Sequence, residues 1–534
     1  MRAAVEVDGV IPISFPGGNM DRRRFGKLGL ISAIAATVAP GELRAASRES
    51  GPDNTTHDKG ERVFSPTILS IRRHMAPEWY DDAKFGMFID YGLYSVAGYA
   101  PKRAKGAMYP DWYLHNMYSD PETVEYQKKT WGADFQRDDF IPKFTARNFD
   151  PEALAKIAEE AGMRYVVPFC KHHDGFCLWP SSFTKRNVMD MGPHRDLIGP
   201  LNAACRKRNL KFGFYFSIEE WEYPILQDGK RMLRRWNPTD PPAHEILPFD
   251  EKAMAGMITG KLPVKDFFGD YIIPQAKEFI DEYDPDLLWL DGEWLTDVNE
   301  TRSPEIISYF YNKAAGRKDV AANDRLGENC RFNVGDFFSS EYGSHDDLQA
   351  KLIHKWEDCR GVSQSFGYNW QDTEENILST VDFIDFFVKI VSEGGNLLLI
   401  VNLDGTGAMP EYIRTRLADI GNWLKVNGEA IYATRPWTVA NQGDAFRFTQ
   451  SKDRRYLYAI HKGWTEWELA IDELVLDRAA KIRMLGTNQD LKWRQVLENG
   501  SYGRGAKVLI EVPEGLKDAV DATKPVVLKI QLTS

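Results

Sequence analysis

The sequence predicts an α/β protein in which a (β/α)8 barrel is followed by a C-terminal β-sandwich domain. Short apolar runs that end abruptly in polar residues alternate with amphipathic helical segments, and this alternation predicts the barrel. After about residue 435, short strand-like segments follow one another with Gly- and Asp-containing turns between them. This change from alternating strands and helices to successive short strands predicts a β-sandwich of immunoglobulin-like size.

Eight segments are predicted as barrel strands, because each is short, apolar and followed by polar residues. They are residues 85–89, 165–170, 212–216, 287–290, 320–322, 337–338, 362–366 and 396–401. Segment 287–290 is the most informative, because Asp291 follows it directly and Gly292 comes next. Such an acid either projects into a site at the barrel mouth or caps the next helix, and the other strands favour the site.

Helical patterns occupy the stretches between these strands. Asp150 and Pro151 form a favourable helix start, since Asp is a good N-cap and Pro fits the first turn. The inner face of this helix is apolar, and Gly162 is predicted to end it. Similar patterns cover residues 272–283, 304–315, 373–392 and 410–426.

Four regions follow from these patterns. Residues 1–47 are predicted to be an export signal, 48–65 a polar linker, 66–430 the barrel and 431–534 the sandwich, with strands at 445–449, 456–460 and 508–512.

The predicted export signal combines a charged segment, an apolar run and a cleavage-like site of small residues. Arg22 and Arg23 precede the apolar run 28–39, as in a twin-arginine signal, and Met20 is an alternative start. We therefore expect an exported protein, periplasmic or extracellular. The apolar run is too short to span a membrane stably, and the sequence predicts no other spanning segment.

Composition excludes some functions. The 534 residues are 43% hydrophobic, which is enough for a sizeable core, and the formal net charge of -11 argues against a nucleic-acid partner. The five cysteines show no metal-ligand spacing. They are predicted to be packing residues, and one disulfide between two of them is the alternative.

Polar residues cluster where the predicted strands end, and barrel topology would bring them to one mouth. They are Asp90, Tyr91, Lys171, His172, His173, Asp174, Tyr215, Ser217, Asp291, Asn323, Asp324, Arg325, Glu341 and Tyr342. Two carboxylates, Asp291 and Glu341, stand among imidazoles, an arginine and several tryptophans. That set is typical of glycoside hydrolysis, in which one carboxylate supports the anomeric centre and the other donates a proton.

The adjacent His172 and His173 have two alternative roles. As neighbours at a strand end they point to opposite sides, so a shared metal ion is disfavoured and hydrogen bonds to sugar hydroxyls are the better functional interpretation. Either could instead be a core histidine with its hydrogen bonds satisfied. No metal and no cofactor is predicted.

Several motifs together resemble the α-L-fucosidases of glycoside hydrolase family 29. They are Lys171-His172-His173-Asp174-Gly175-Phe176, residues 178–181, residues 288–294, Asn323-Asp324-Arg325, residues 394–399 and residues 427–432. The resemblance covers roughly residues 66 to 534. It implies an exo-acting retaining glycosidase that consists of a barrel and a β-sandwich, with two catalytic carboxyl groups about 5–5.5 Å apart.

The resemblance also implies residue roles. Asp291 matches the nucleophile and Glu341 the acid/base, with Glu357 and Glu293 as competitors for the second role. The sugar-binding positions that match are Trp112, His172, His173, Tyr215, Trp289 and Arg325.

Three further glycone positions depart from the family pattern. Asp90 and Tyr91 stand where the family has His-Trp, and Asp111 replaces a Glu one methylene longer. The loop 97–110 is long and carries Lys102, Arg103 and Lys105. It is either a solvated basic loop or a contact for a sulfated fucan.

These features predict an α-L-fucosidase that releases terminal L-fucose from a fucosylated glycan. The alternatives are an enzyme for another L-sugar such as L-galactose, an enzyme for sulfated fucans, and a non-catalytic sugar-binding relative. The sequence leaves the oligomeric state open.

Overall fold

The structure is a computed structural model that describes residues 63–103, 106–237, 243–343, 354–463, 468–497, 505–516, 521 and 523–532. The predicted export signal and all but the end of the predicted linker lie outside the described residues. Within these ranges, no helix is both long and apolar enough to cross a membrane.

Eight parallel strands form the barrel. The strands up to the second domain are β1 (Phe85–Asp90), β2 (Tyr165–Lys171), β3 (Lys211–Ser217), β4 (Glu222–Gln227), β5 (Lys230–Asn237), β6 (Ala243–Pro248), β7 (Leu287–Asp291), β8 (Ala321–Ala322), β9 (Phe338–Glu341), β10 (Trp356–Gly361) and β11 (Asn396–Asn402). The barrel order is β8-β7-β3-β2-β1-β11-β10-β9. A parallel bridge between Asn323 and Phe337 joins the two ends of this sheet. The predicted barrel is therefore confirmed.

One barrel strand lies elsewhere than predicted. The seventh strand around the barrel is β10, whereas residues 362–366 belong to the loop that follows it. The apolar-run criterion missed β10 because Glu357 and Asp358 occupy its middle and are buried. A buried carboxyl is tolerated where donors satisfy it, and Glu357 accepts a hydrogen bond from the Tyr165 hydroxyl at 2.5 Å.

Helices alternate with the barrel strands. They are Ile68–Ile71, Glu78–Ala83, Tyr113–Ser119, Pro121–Thr130, Pro151–Glu160, Ile198–Lys207, Glu251–Met254, Ile273–Tyr283, Val298–Thr301, Pro304–Ala314, Thr380–Ser392 and Glu411–Asn427. The predicted cap is present, because the Asp150 side chain accepts a hydrogen bond from the Ala153 amide at 3.1 Å. The predicted helix 373–392 begins only at Thr380, because the Ser379 side chain caps it there.

A three-stranded antiparallel sheet, β4-β5-β6, is inserted between β3 and β7. Glu219, in the loop after β3, anchors this sheet. Its carboxylate accepts two hydrogen bonds from Arg234 on β5, at 2.9 and 3.1 Å, and one from Thr296 at 2.9 Å. Thr296 follows β7, so the anchor joins the inserted sheet to the segment after Asp291.

The C-terminal part folds as two antiparallel sheets around a second core. Its strands are β12 (Thr434–Gln442), β13 (Phe446–Ser451), β14 (Tyr456–His461), β15 (Glu468–Asp472), β16 (Ile482–Met484), β17 (Trp493–Leu497), β18 (Ala506–Glu511) and β19 (Val526–Gln531). The sheet orders are β12-β13-β14-β19-β16 and β15-β18-β17. Alternating side chains of both sheets pack between them, which confirms the predicted sandwich.

The cysteines are packing residues, as predicted. Each of the five lies buried among described residues, and none is in a disulfide. The disulfide that the sequence left open is not formed.

Candidate active site

Barrel topology gathers the predicted polar residues at the carboxyl ends of the strands. Asp90 is the last residue of β1, Asp291 of β7 and Glu341 of β9, and His172 directly follows β2. These ends face one mouth of a parallel barrel, where the loops can build a site.

Asp291 is buried and receives two strong hydrogen bonds. The Tyr215 hydroxyl donates to Oδ2 at 2.6 Å, and Nη1 of Arg325 donates to Oδ1 at 2.7 Å. The imidazole Nε2 of His173 lies 3.6 Å from Oδ2. The Tyr215 hydroxyl and the Arg325 guanidinium stabilise the negative charge on Asp291 and fix the direction of its oxygens.

Arg325 connects the two predicted catalytic carboxylates. While Nη1 contacts Asp291, Nη2 donates to Oε1 of Glu341 at 2.5 Å. The third nitrogen, Nε, donates to Oγ of Ser339 at 2.8 Å, and the guanidinium lies 4.5 Å from the centre of the Trp289 ring. The arginine is therefore held on several sides and sets the position of both carboxylates.

His173 is oriented by a chain of hydrogen bonds. The Ser217 hydroxyl donates to the carbonyl of Glu219, so its oxygen accepts from Nδ1–H of His173 at 2.6 Å. Burial lowers the pKa of His173 well below its usual value, which keeps the imidazole neutral. Its Nε2 is then an acceptor, and it has no protein partner among the described residues.

His172 is neutral for the same reason. Burial lowers its pKa to about 4. Its Nε2 lies 3.5 Å from Oδ2 of Asp111, and its Nδ1 is buried with no partner in the described part of the chain. The two rings lie 4.3 Å apart, so the expectation that they point to opposite sides is wrong: both residues follow the end of β2, where strand alternation no longer applies. Two neutral imidazoles with unsatisfied ring nitrogens are suited to binding sugar hydroxyls.

Asp90 and Asp111 form a buried pair of acids beside these histidines. The Tyr94 hydroxyl donates to Oδ1 of Asp90 at 2.6 Å, while Oδ2 of Asp90 and Oδ1 of Asp111 have no partner among the described residues. Burial and the charge of Asp111 raise the pKa of Asp90 well above its usual value. Burial also raises the pKa of Asp111 well above its usual value, so the pair favours a protonated carboxyl, which can donate a hydrogen bond as well as accept one.

Aromatic side chains form one wall of the mouth. The ring of Trp112 lies 5.4 Å from that of His173, 6.2 Å from Trp294 and 5.7 Å from Trp236 on the inserted sheet. Such rings provide the flat apolar surface against which a sugar ring packs.

Tyr91 is the predicted site residue that the structure does not bring to this cluster. Its ring packs against Phe144 and Phe149, with centroids 4.8 and 5.5 Å away. Its side chain belongs to the core because successive residues of a strand point to opposite faces, so Asp90 and Tyr91 diverge.

The two competitors for the acid/base role have different surroundings. Glu357 accepts hydrogen bonds from the hydroxyls of Tyr80 and Tyr165 and from the indole of Trp289. Glu293 is buried beside Arg325 at 3.8 Å, and burial raises its pKa to about 7.

Several supporting residues escaped the sequence reasoning. Ser339 precedes Glu341 by two positions on β9 and binds Arg325, so period-2 alternation could have indicated it. Arg331 lies 3.4 Å from Glu293 and 3.2 Å from Asp324. Nothing in its local sequence pattern indicates that contact.

The basic loop is partly neutralised within the described residues. Arg103 lies 3.1 Å from the carboxylate of Glu122 and 3.9 Å from that of Asp120.

A barrel with paired carboxylates, an arginine, neutral imidazoles and tryptophans at its mouth defines a glycoside hydrolase. The family model for alpha-L-fucosidase matches residues 53–429. The chain therefore belongs to the α-L-fucosidase family, as the motifs predict.

Individual relatives match across most of the chain. The tissue alpha-L-fucosidase of Rattus norvegicus is 32% identical over 461 residues, which cover 85% of this chain and 89% of the relative. The Thermotoga maritima alpha-fucosidase in complex with fucose has a TM-score of 0.69 at 32% identity, covering 88% of this chain and 100% of that one. The same enzyme in complex with a mechanism-based inhibitor gives 0.69 at 31% identity, with the same coverage of both chains.

Proposed function

We propose that this protein is an exo-acting retaining α-L-fucosidase that releases terminal L-fucose from fucosylated glycans. The observation that carries the proposal is the single guanidinium of Arg325, which holds both Asp291 and Glu341. This geometry holds two carboxylates close together, as a nucleophile and an acid/base require, and the fucose-bound relative supports the choice of sugar.

In the first step Asp291 is the nucleophile. Its Oδ2 or Oδ1 attacks the anomeric carbon while Glu341 donates a proton to the departing glycosidic oxygen. Tyr215 and Arg325 hold Asp291 by one oxygen each, so rotation of the carboxylate is restricted before the attack.

In the second step water releases the sugar. Ionised Glu341 takes a proton from a water molecule that attacks the same carbon, and Asp291 leaves as a carboxylate. Two inversions retain the anomeric configuration. Arg325 favours Asp291 as the leaving group, because it stabilises the returning negative charge.

The surroundings favour Glu341 over its competitors as the acid/base. Glu357 is enclosed in the barrel with three donors on its oxygens, and its exposed fraction is 0%. Glu293 is also buried, whereas Glu341 retains 22% exposure of its side chain, which gives a leaving group and water access to it.

The assignment of Asp291 is tested by Asp291→Asn. We expect turnover of an aryl α-L-fucoside to fall by at least about 10³-fold, because no covalent intermediate can form. Circular dichroism and the thermal midpoint provide the folding control. Near-normal kcat in a folded variant would refute the nucleophile role.

Glu341→Ala tests the acid/base. An aryl fucoside with a good leaving group needs little protonation, so its loss in the first step should be much smaller than that of a natural glycan. Equal losses of first-step rate for the aryl fucoside and the natural glycan would refute the assignment of Glu341 as the acid/base.

The raised pKa of Asp90 supports L-fucose as the glycone. A protonated carboxyl would supply a donor at the position where the family pattern has histidine, so the subsite would keep its hydrogen-bonding capacity.

Export, organisation and sulfate tolerance remain proposals. The Arg22-Arg23 segment supports export by the twin-arginine route to the periplasm or the exterior. We place the barrel at residues 66–430 and the sandwich at 431–534. Lys102 supplies a positive charge for a contact with sulfated fucans. The pairing of Arg103 with Glu122 reduces the positive charge that the loop offers to a sulfate group.

A further inference from the structure

A cavity lies on the same face of the barrel as the candidate active site, and Asp291 is not among its lining residues. It has a volume of about 260 Å³ and is lined by Tyr368, Trp370, Asp372, Asp404 and Tyr412, among others. The first three lie in the loop after β10, Asp404 lies in the loop after β11, and Tyr412 is in the helix that follows. These loops leave the carboxyl ends of their strands, which is the end that carries the candidate active site.

Trp370 is an exposed aromatic side chain that is nevertheless held in place. Its exposed fraction is 54%, yet its indole N–H donates to the Tyr126 hydroxyl at 3.1 Å and its amide donates to the Gly98 carbonyl at 2.8 Å. Tyr126 in turn stacks on Tyr99 with ring centroids 3.6 Å apart. A tryptophan that is both fixed and exposed offers a preorganised stacking surface.

The two carboxylates of the cavity are held by neutral donors. Oδ1 of Asp404 accepts from the Thr406 amide at 2.8 Å and hydroxyl at 2.6 Å, which leaves Oδ2 without a hydrogen bond from any described residue. Asp372 accepts from Ser365 at 2.8 Å and from the Tyr412 hydroxyl at 3.3 Å. In the described part of the chain no lysine or arginine pairs with either acid, so the cavity repels anionic ligands.

A metal ion does not fit these groups. The described residues contain no set of three or more His, Cys, Asp or Glu side chains that could hold one. Carboxylate acceptors beside aromatic faces instead suit a neutral ligand that has both hydroxyl groups and an apolar face. The volume of about 260 Å³ lies just below the roughly 300–1,000 Å³ typical of pockets for drug-sized ligands, so the cavity suits one small unit rather than a longer chain.

The cavity is joined to the glycone site by a short stretch of backbone. A Cβ at Gly367 would lie 2.9 Å from the amide nitrogen of Asp111, so the two backbones are in contact there. Tyr368, the next residue, lines the cavity, and adjacent Cα atoms are about 3.8 Å apart. The cavity lining therefore borders Asp111, one of the buried acids of the candidate active site.

We propose that this cavity is a second carbohydrate subsite, which binds a neutral pyranose unit of the glycan whose terminal sugar occupies the site at Asp291. The link to that glycan rests on the proposed function, whereas binding of a neutral sugar does not. The site raises affinity for glycans over simple fucosides without taking part in bond cleavage.

Kinetics of Trp370→Ala test the proposal on the full chain. We expect KM for a fucosylated oligosaccharide to rise about 10-fold with kcat unchanged, which corresponds to about 1.4 kcal/mol. Parameters for 4-nitrophenyl α-L-fucoside should change less than about twofold, and Trp370→Phe should restore most of the affinity. Trp79→Ala is the matched control. Trp79 precedes β1 in the chain, and its indole also donates a hydrogen bond, to the Asp319 carbonyl at 3.0 Å.

Direct binding separates this inference from the catalytic one. N-acetyllactosamine, which lacks fucose, is titrated into Asp291→Asn with and without Trp370→Ala, and tryptophan fluorescence is recorded. We expect saturable quenching that the second substitution removes. The subsite would be overturned if N-acetyllactosamine does not bind and Trp370→Ala changes KM equally for the oligosaccharide and the aryl fucoside. It would also be overturned if the cavity binds tetramethylammonium instead of the sugar. Failure to cleave the aryl fucoside would instead refute the proposed function and leave the binding result standing.

Discussion

A few contacts among Asp291, Arg325 and Glu341 hold the proposed reaction centre together. Each nitrogen of Arg325 has its own acceptor, so the guanidinium cannot rotate without breaking a charge-assisted hydrogen bond. The nearby His172 and His173 are uncharged because they are buried, and thus they add hydrogen bonds without adding charge. The site separates these tasks among residues that the barrel brings together.

Asp90→Asn should preserve activity. If Asp90 acts as a neutral acid, an amide of the same shape keeps one donor and one acceptor, and kcat/KM should stay within about threefold, whereas Asp90→Ala should lose about 10-fold or more. Because the pKa of Asp90 is raised, wild type should lose activity as the pH rises and the acid ionises. The pH–activity profile of the Asn variant should lack this decline. Equal losses for Asn and Ala would contradict a neutral Asp90.

Glu357→Gln should change how stability depends on pH. Burial raises the pKa of Glu357 to about 7, so between about pH 5 and pH 7 the folded protein binds more protons than the unfolded chain. The free energy of unfolding of wild type should therefore fall as the pH rises through this window, by up to about 3 kcal/mol from this group. The variant should show a smaller fall.

Thermal midpoints at pH 5 and pH 7.5 measure this effect. Glu375→Gln is the control, because Glu375 is exposed. The same pH dependence in the Glu357→Gln protein and in wild type would contradict the assignment.

At the scale of elements, loops and one inserted sheet complete the site that the strands begin. Gly292, with φ of +100°, lets the chain turn sharply after Asp291, and a side chain there would approach Cβ of Glu219 to 3.0 Å. Glu219 itself holds the inserted sheet through Arg234. The wall that carries Trp236 thus depends on a buried ion pair next to Gly292, the residue that follows Asp291.

A double-mutant cycle on Glu219 and Arg234 tests this anchor. Glu219→Leu leaves the buried Arg234 without its carboxylate and should cost about 3–5 kcal/mol of stability. Arg234→Leu should cost less, because Nε2 of His244 also lies 3.3 Å from Glu219, and the double change should cost less than the sum. We expect kcat/KM to fall in all three variants, because the inserted sheet loses its fixed position. Additive losses of thermal stability would show that the pair does not act as a unit.

At the scale of the whole molecule, the sandwich is fastened to the barrel by specific contacts. The indole of Trp423, in the last barrel helix, donates to the carbonyl of Pro525 at 2.7 Å. Arg435 contacts the carboxylates of Asp81 and Asp82 at 3.1 and 2.8 Å. Side chains of the sandwich, including Tyr458, also pack into the barrel core. The sandwich therefore supports the barrel on the side of these helices rather than at the mouth.

Trp423→Ala should reduce stability and leave chemistry unchanged. Removing a side chain that is only 5% exposed should cost about 3–5 kcal/mol and lower the thermal midpoint by several degrees. Because the indole of Trp423 contacts the sandwich through Pro525, kcat/KM of the folded variant should stay within about twofold of wild type. A large change in kcat/KM without a change in the midpoint would contradict this division of roles.

Local patterns made most of the barrel predictable. Apolar runs such as 287–290 and 396–401 can satisfy their burial only as inner strands, so the runs alone indicate β7 and β11. Polar residues that end such runs had to meet at one mouth, which is why Asp291 and Arg325 were identifiable from their positions in the sequence. The strand β10 was misplaced because its buried acids depend on donors that are far away in the sequence.

The sequence by itself determined the architecture, the family and the residues that could carry the reaction, because periodicity and motifs are local properties of the chain. Only the tertiary structure decided how they act together. It showed that Asp90 turns inward while Tyr91 turns to the core, that Arg325 joins two carboxylates, and that Glu219 fastens the inserted sheet. Burial, pKa values and shared hydrogen bonds depend on groups distant in sequence, and only folding brings those groups together.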